Sequence, residues 1–144
     1  MTKNITLLFV FLFASCINET EISITKVLGS PEYANAKLSL DEPVIVEDGY
    51  EFSFNTNQYE LGLQTLKDFE YSLANSAKGQ HIHFIINNGP YSAHYNEKFY
   101  KKLEGDSNVI LAFLSRSYHE SVKNRNAFVL TQIGEQKIDL SNEF

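Results

Sequence analysis

Apolar and polar side chains alternate with a period of two along much of this chain, the spacing of strands that bury one face. Ile22 and Ile24 alternate with Ser23 and Thr25, and Ala36, Leu38 and Leu40 with Lys37, Ser39 and Asp41. Val44-Ile45-Val46 is a short apolar run ended by Glu47-Asp48-Gly49, where Asp-Gly signals a turn. Tyr50, Phe52 and Phe54 repeat the alternation, and Tyr59, Leu61 and Leu63 continue it. His81 to Ile86 is rich in strand formers and is closed by the turn-forming Asn87-Asn88-Gly89-Pro90. Val109 to Leu114 is continuously apolar, the pattern of a strand covered on both faces. Ala127 to Ile133 and Lys137 to Leu140 complete the set. No long run shows the 3.6-residue helical period, although Thr65 to Ser76 and Asn96 to Leu103 each suit a short helix. The pattern predicts an all-β chain, an antiparallel β-sandwich of about eight strands.

The first residues read differently. Lys3 and the amino terminus give a positive start, and Ile5 to Phe13 is apolar but for Thr6. A bilayer span needs about 20 residues, so this run fits the apolar core of a signal peptide. Phe13-Ala14-Ser15-Cys16 resembles a bacterial lipobox, with Phe13 where Leu is usual. The resemblance implies a lipoprotein signal peptide over residues 1–15 and lipid on Cys16. A short tether over 16–21 and one β-sandwich domain over 22–144 then follow. Ile17, rather than Asp, follows the cysteine. The expected location is therefore the bacterial cell envelope, anchored in the outer membrane and facing the periplasm or the cell surface.

Composition narrows the chemistry. Of 144 residues, 43% are hydrophobic and 21% charged, which disfavours disorder and repeats. Eleven Phe and eight Tyr supply a small core generously. The formal net charge of −6, about −7 once Lys3 leaves with the signal, argues against nucleic acid as a partner. The single Cys excludes an intrachain disulfide and a multi-thiolate metal site.

Two stretches carry candidate chemistry. His81 and His83 share one strand face, opposite Ile82, Phe84 and Ile86, which take the core. The histidine face is therefore expected to be the more open one. Paired imidazoles can grip one metal ion, with His94 or His119 closing the site. Without a thiol, the ions that suit are Zn²⁺ and Cu²⁺. The second stretch runs from Leu114 to Arg125 and holds both arginines, Arg116 and Arg125, around Tyr118, His119, Glu120 and Lys123. Arg grips phosphate or carboxylate with a planar fork, so this stretch is a candidate anion site. Tyr91 and Tyr95 flank His94 and are candidate rim contacts. Ser115, Ser117 and Ser121 lack a nucleophile-elbow pattern, and the acids Glu47-Asp48 and Glu104-Asp106 sit in turns, so no enzyme is expected.

The segments from Ala74 to Tyr91, Ala93 to Tyr95 and Phe113 to Ser121 also resemble a family of small bacterial lipoproteins labelled "phosphopeptide-binding protein", with Tyr59-Glu60-Leu61-Gly62 fitting the same pattern. The resemblance spans Glu51 to Thr131. It implies a lipid-anchored, non-enzymatic protein binding a phosphorylated or otherwise anionic ligand, a peptide or small molecule. Arg116, His119 and Lys123 would supply charge-assisted hydrogen bonds. It marks His81, His83, Tyr91, His94, Tyr95, Arg116, Tyr118, His119 and Glu120 as site positions. More distantly, the order of a glycine, the histidine strand, a loop, an apolar strand and a histidine turn is similar to immunoglobulin-like periplasmic domains. That implies an immunoglobulin-like sandwich. A Zn- or Cu-binding envelope protein and an envelope scaffold or accessory subunit are the alternatives.

Overall fold

The structure is a computed structural model that describes Ser23 and residues 29–69 and 72–134. The expected signal peptide, Cys16 and the strand expected at Lys137 to Leu140 lie outside the described residues, as does all but Ser23 of the strand expected at Ile22 to Thr25. Eight strands are described, and no helix. They are β1 (Lys37–Leu40), β2 (Val44–Val46), β3 (Gly49–Asn57), β4 (His81–Ile86), β5 (Ser92–His94), β6 (Lys98–Lys101), β7 (Ser107–Ser115) and β8 (Phe128–Gly134).

They form two antiparallel sheets. In the first, β3 pairs with β1 through Phe54 to Asn57, with β2 through Gly49 to Glu51, and with β6 through Tyr50 to Ser53. The second has the order β5-β4-β7-β8. Asn87 and Asn88 both take positive φ, and Gly89 N–H donates to the Ile86 carbonyl at 2.8 Å, closing the turn that follows β4. Across the whole connection from Asn87 to Tyr91, Ile82 comes to lie opposite His94 and Phe84 opposite Ser92.

The inner faces meet through aromatic rings. Phe52 and Phe54 of β3 and Phe84 of β4 are buried, with the Phe52 and Phe84 rings edge to face at 4.8 Å. Phe99 stacks on Phe52 and Phe54 at 5.8 and 5.7 Å. Ile82, Ile110, Ala112 and Leu114 complete the contact from the second sheet. Burying each large side chain contributes about 1.5–3 kcal/mol, so these rings dominate the core.

Four expectations need correction. Asn96 to Leu103 holds strand β6, not a helix, because Phe99 alternates inward between exposed Lys98 and Tyr100. The described part of Thr65 to Ser76 is irregular rather than helical. Tyr59 to Leu63 is irregular, with a turn at Leu61-Gly62, and forms no strand. Gly62 N–H donates to the Gln80 carbonyl and Gln80 N–H to the Leu63 carbonyl, folding that turn against the start of β4. Finally, β7 is covered on one face. Asn108, Ile110, Ala112 and Leu114 are buried, while Val109, Leu111 and Phe113 stay half-buried on the outer face.

Candidate metal centre

β4 occupies the middle of its sheet, between β5 and β7. Its even residues enter the core and its odd residues face outward. The neighbours of His81 and His83 on that outer face include two small residues. Ser115 lies opposite His81, and Ala93 and Phe113 lie opposite His83. The space above the two imidazoles is closed by loops. Tyr91 stacks on His83 with ring centres 4.0 Å apart, and Tyr95 lies 5.0 Å from His81. A hydrogen bond of 2.7 Å between Tyr95 Oη and Ser76 Oγ holds that second ring. This outer face is therefore not the open one: His81 is 0% exposed and His83 6%.

The third imidazole arrives from the turn after β7. His119 N–H donates to the Arg116 carbonyl and Arg116 N–H to the Glu120 carbonyl, both at 2.9 Å. The turn leaves His119 at φ 65°, a left-handed conformation uncommon for a residue with a side chain. The ring comes to 5.1 Å from His81 and 5.9 Å from His83, and it is the exposed member of the three. One nitrogen from each of His81, His83 and His119 lies within 4.8 Å of the other two. Among the described residues, no Cys or carboxylate joins this group.

Hydrogen bonds define the protons. His81 Nδ1 lies 2.9 Å from the Gly79 carbonyl, which can only accept, so Nδ1 carries the hydrogen and Nε2 is left with its lone pair. His81 Nε2 is 2.8 Å from His83 Nε2. A carbonyl that orients one nitrogen while the other faces an ion is the usual support of a metal-binding histidine. Burial lowers the His81 pKa, against the Gly79 carbonyl, which raises it. Burial, with the charges of His81 and His119 adding to it, pushes His83 down to about 4. Both rings are thus neutral at neutral pH, the form that donates to a metal.

Gly79 is the residue that the sequence reading missed. It has φ +87°, and a Cβ there would come within 2.3 Å of the Gly62 carbonyl oxygen. Its place two residues before His81, where the histidine strand begins, was the available signal.

His94 does not join the cluster. It pairs with Ile82 and so points into the core, where its ring stacks on Phe99 at 3.5 Å and its Nε2 meets Ser92 Oγ at 2.9 Å. Arg116 is 3% exposed. Its Nε and Nη2 donate to the Pro31 carbonyl and its Nη1 to the Ser121 carbonyl, with Glu120 Oε1 at 3.8 Å. Tyr118 Oη donates to Ser30 Oγ at 2.9 Å, and Ser30 donates to Glu120 Oε2 at 2.5 Å. Arg116, Tyr118 and Glu120 therefore form a knot that ties Ser30 and Pro31 to the turn carrying His119. Lys123 is exposed beside Ser121 Oγ, and Arg125 is exposed. Ser115 Oγ donates to the Arg116 carbonyl, while Ser117 Oγ accepts the Thr65 N–H.

No family model, curated protein or solved structure matches this chain.

Proposed function

We propose that this chain is a lipid-anchored binding protein of a bacterial cell envelope. Its ligand is a divalent transition-metal ion held by His81, His83 and His119. Cys16 is the anchor, and the two sheets belong to an immunoglobulin-like sandwich. The observation that carries the metal reading is the pair of buried Nε2 atoms at 2.8 Å, with a third imidazole nitrogen inside 4.8 Å. The neutral rings and the Gly79 support fit that use. Nitrogen donors alone, without thiolate, suit Zn²⁺ and Cu²⁺.

A phosphorylated ligand gripped by Arg116 has less support. Its guanidinium is buried and already donates to the Pro31 and Ser121 carbonyls. An anion would have to displace those bonds and open the knot around Ser30. The discriminating experiment is elemental analysis and calorimetric titration of the full chain. The proposal expects one equivalent of Zn²⁺ or Cu²⁺, absent from a His81→Ala/His83→Ala variant whose far-ultraviolet dichroism is unchanged. Substoichiometric metal on the folded chain sinks it.

A further inference from the structure

We infer, resting on the metal reading above, that residues 30–33 form a clasp that holds His119 beside the buried His81–His83 pair. Ser30 and Tyr33 are then positioning residues of the centre. The clasp touches both halves of the donor group. Ser30 Oγ accepts a hydrogen bond from Tyr118 Oη at 2.9 Å and donates one to Glu120 Oε2 at 2.5 Å. Those two partners are the residues on either side of His119. At the other end of the clasp, Tyr33 Oη donates to Gln80 Oε1, and Gln80 directly precedes His81. Between them, the Pro31 carbonyl accepts from the buried Arg116 guanidinium, which lies over the Tyr33 ring at 5.6 Å.

The three donors are supported differently. The Gly79 carbonyl orients His81 through Nδ1, and His83 packs between the Tyr91 ring at 4.0 Å and the Phe113 ring at 5.0 Å. His119 is exposed and stands at φ 65°. A left-handed backbone is unfavourable for a residue with a Cβ and persists where its surroundings hold it. The base of the turn is held from within the domain. Ser115 bridges to Ser121, Ser117 N–H donates to Thr65 Oγ1, and the Ser117 carbonyl accepts the Ser76 N–H at 2.7 Å. The tip is held through Tyr118 and Glu120, which converge on one hydroxyl. Losing that hydroxyl frees the tip, leaves β4 in register, and reduces the donors from three nitrogens to two.

Such a link runs in both directions. If the docked clasp strengthens metal binding, bound metal must stabilise the docked clasp by the same factor. The Ala36 N–H, which donates to the Tyr33 carbonyl at 2.9 Å, lies where that stabilisation can be read.

The test uses the full chain carrying Cys16→Ser, so that no thiol competes for the ion, with Zn²⁺ and Cu²⁺ titrated separately. For each ion that binds, Ser30→Ala should weaken affinity at least about tenfold, the usual effect of removing a group that orients a ligand. Tyr118→Phe, which keeps the ring and removes its hydroxyl, should weaken it in the same direction. In a His119→Ala background, neither substitution should weaken binding further. Metal should slow amide exchange over residues 32–36 in the parent chain and leave it unchanged in His119→Ala. A purely structural clasp would instead weaken binding equally in both backgrounds. That result, unchanged affinity in both variants, or exchange indifferent to metal would overturn the clasp while metal binding stands. Failure of the parent chain to bind either ion stoichiometrically removes the metal reading and the clasp with it.

Discussion

Acid should destabilise this protein in part through a histidine that lies outside the proposed metal centre. Burial, with the Lys101 charge adding to it, pushes the His94 pKa down to about 4 from 6.5. Between those two values the unfolded chain takes up a proton that the folded chain refuses. Stability is therefore complete above pH 6.5 and is lost as pH falls towards 4. One pKa unit corresponds to about 1.36 kcal/mol, so the full window amounts to about 3 kcal/mol. Most of it, about 2 kcal/mol, is lost between pH 7 and pH 5. His94 is only half-buried, and allowing for solvent screening leaves roughly 1–2 kcal/mol. The assay is urea denaturation at pH 7, 6 and 5, with chelator present so that no ion occupies the His81–His83 pair. His94→Phe keeps a ring stacked on Phe99 and removes the titrating nitrogen. Its unfolding free energy should fall less than the wild type's by that 1–2 kcal/mol at pH 5. The His83 contribution has the same sign and cancels between the two proteins. Parallel curves for wild type and variant would refute the assignment.

Three further outcomes follow from packing. Phe84→Ala deletes the ring that meets Phe52, Phe54 and Phe99, and should cost about 3–5 kcal/mol by urea denaturation, against a clearly smaller loss for half-buried Phe113→Ala. Gly79→Ala forces a Cβ to 2.3 Å from the Gly62 carbonyl oxygen at φ +87°, and should lower stability by more than about 3 kcal/mol. Gly105→Ala is its control: at φ +75° with open space around it, it should cost only about 1 kcal/mol, measured by the same denaturation. Arg116→Ala strips the Pro31 and Ser121 carbonyls of their donors and should cost about 3 kcal/mol in chemical denaturation; unchanged stability would contradict the structural knot.

The strands were legible where alternation is set by local contacts. Tyr50, Phe52 and Phe54, and Ile82 and Phe84, declared their shared faces because side-chain direction in a strand depends only on parity. Exposure of the opposite face depends on segments distant in sequence, and there the reading failed. Tyr91, Tyr95 and His119 roof the imidazoles of β4, yet nothing within β4 announces a roof. His94 was placed with the other histidines because it follows closely. The five-residue connection from Asn87 to Tyr91 instead gives a register that pairs His94 with Ile82 and sends it into the core. Arg116 reads as a solvent-facing fork because its partner Pro31 lies 85 residues away. The continuous apolar run of β7 implied two covered faces, whereas its outer face stays half-buried beside His83.

Because β4 carries the core on one face and the imidazoles on the other, its register is tested twice. A slip of one residue against β7 would seat two imidazoles between phenylalanine rings and leave Ile82 and Phe84 beneath Tyr91 and Tyr95. Such a misfolded chain would lose its hydrophobic contact and its nitrogen donors in the same event. Under the proposed metal-binding function, metal retention would report the pairing of the second sheet without a spectroscopic label.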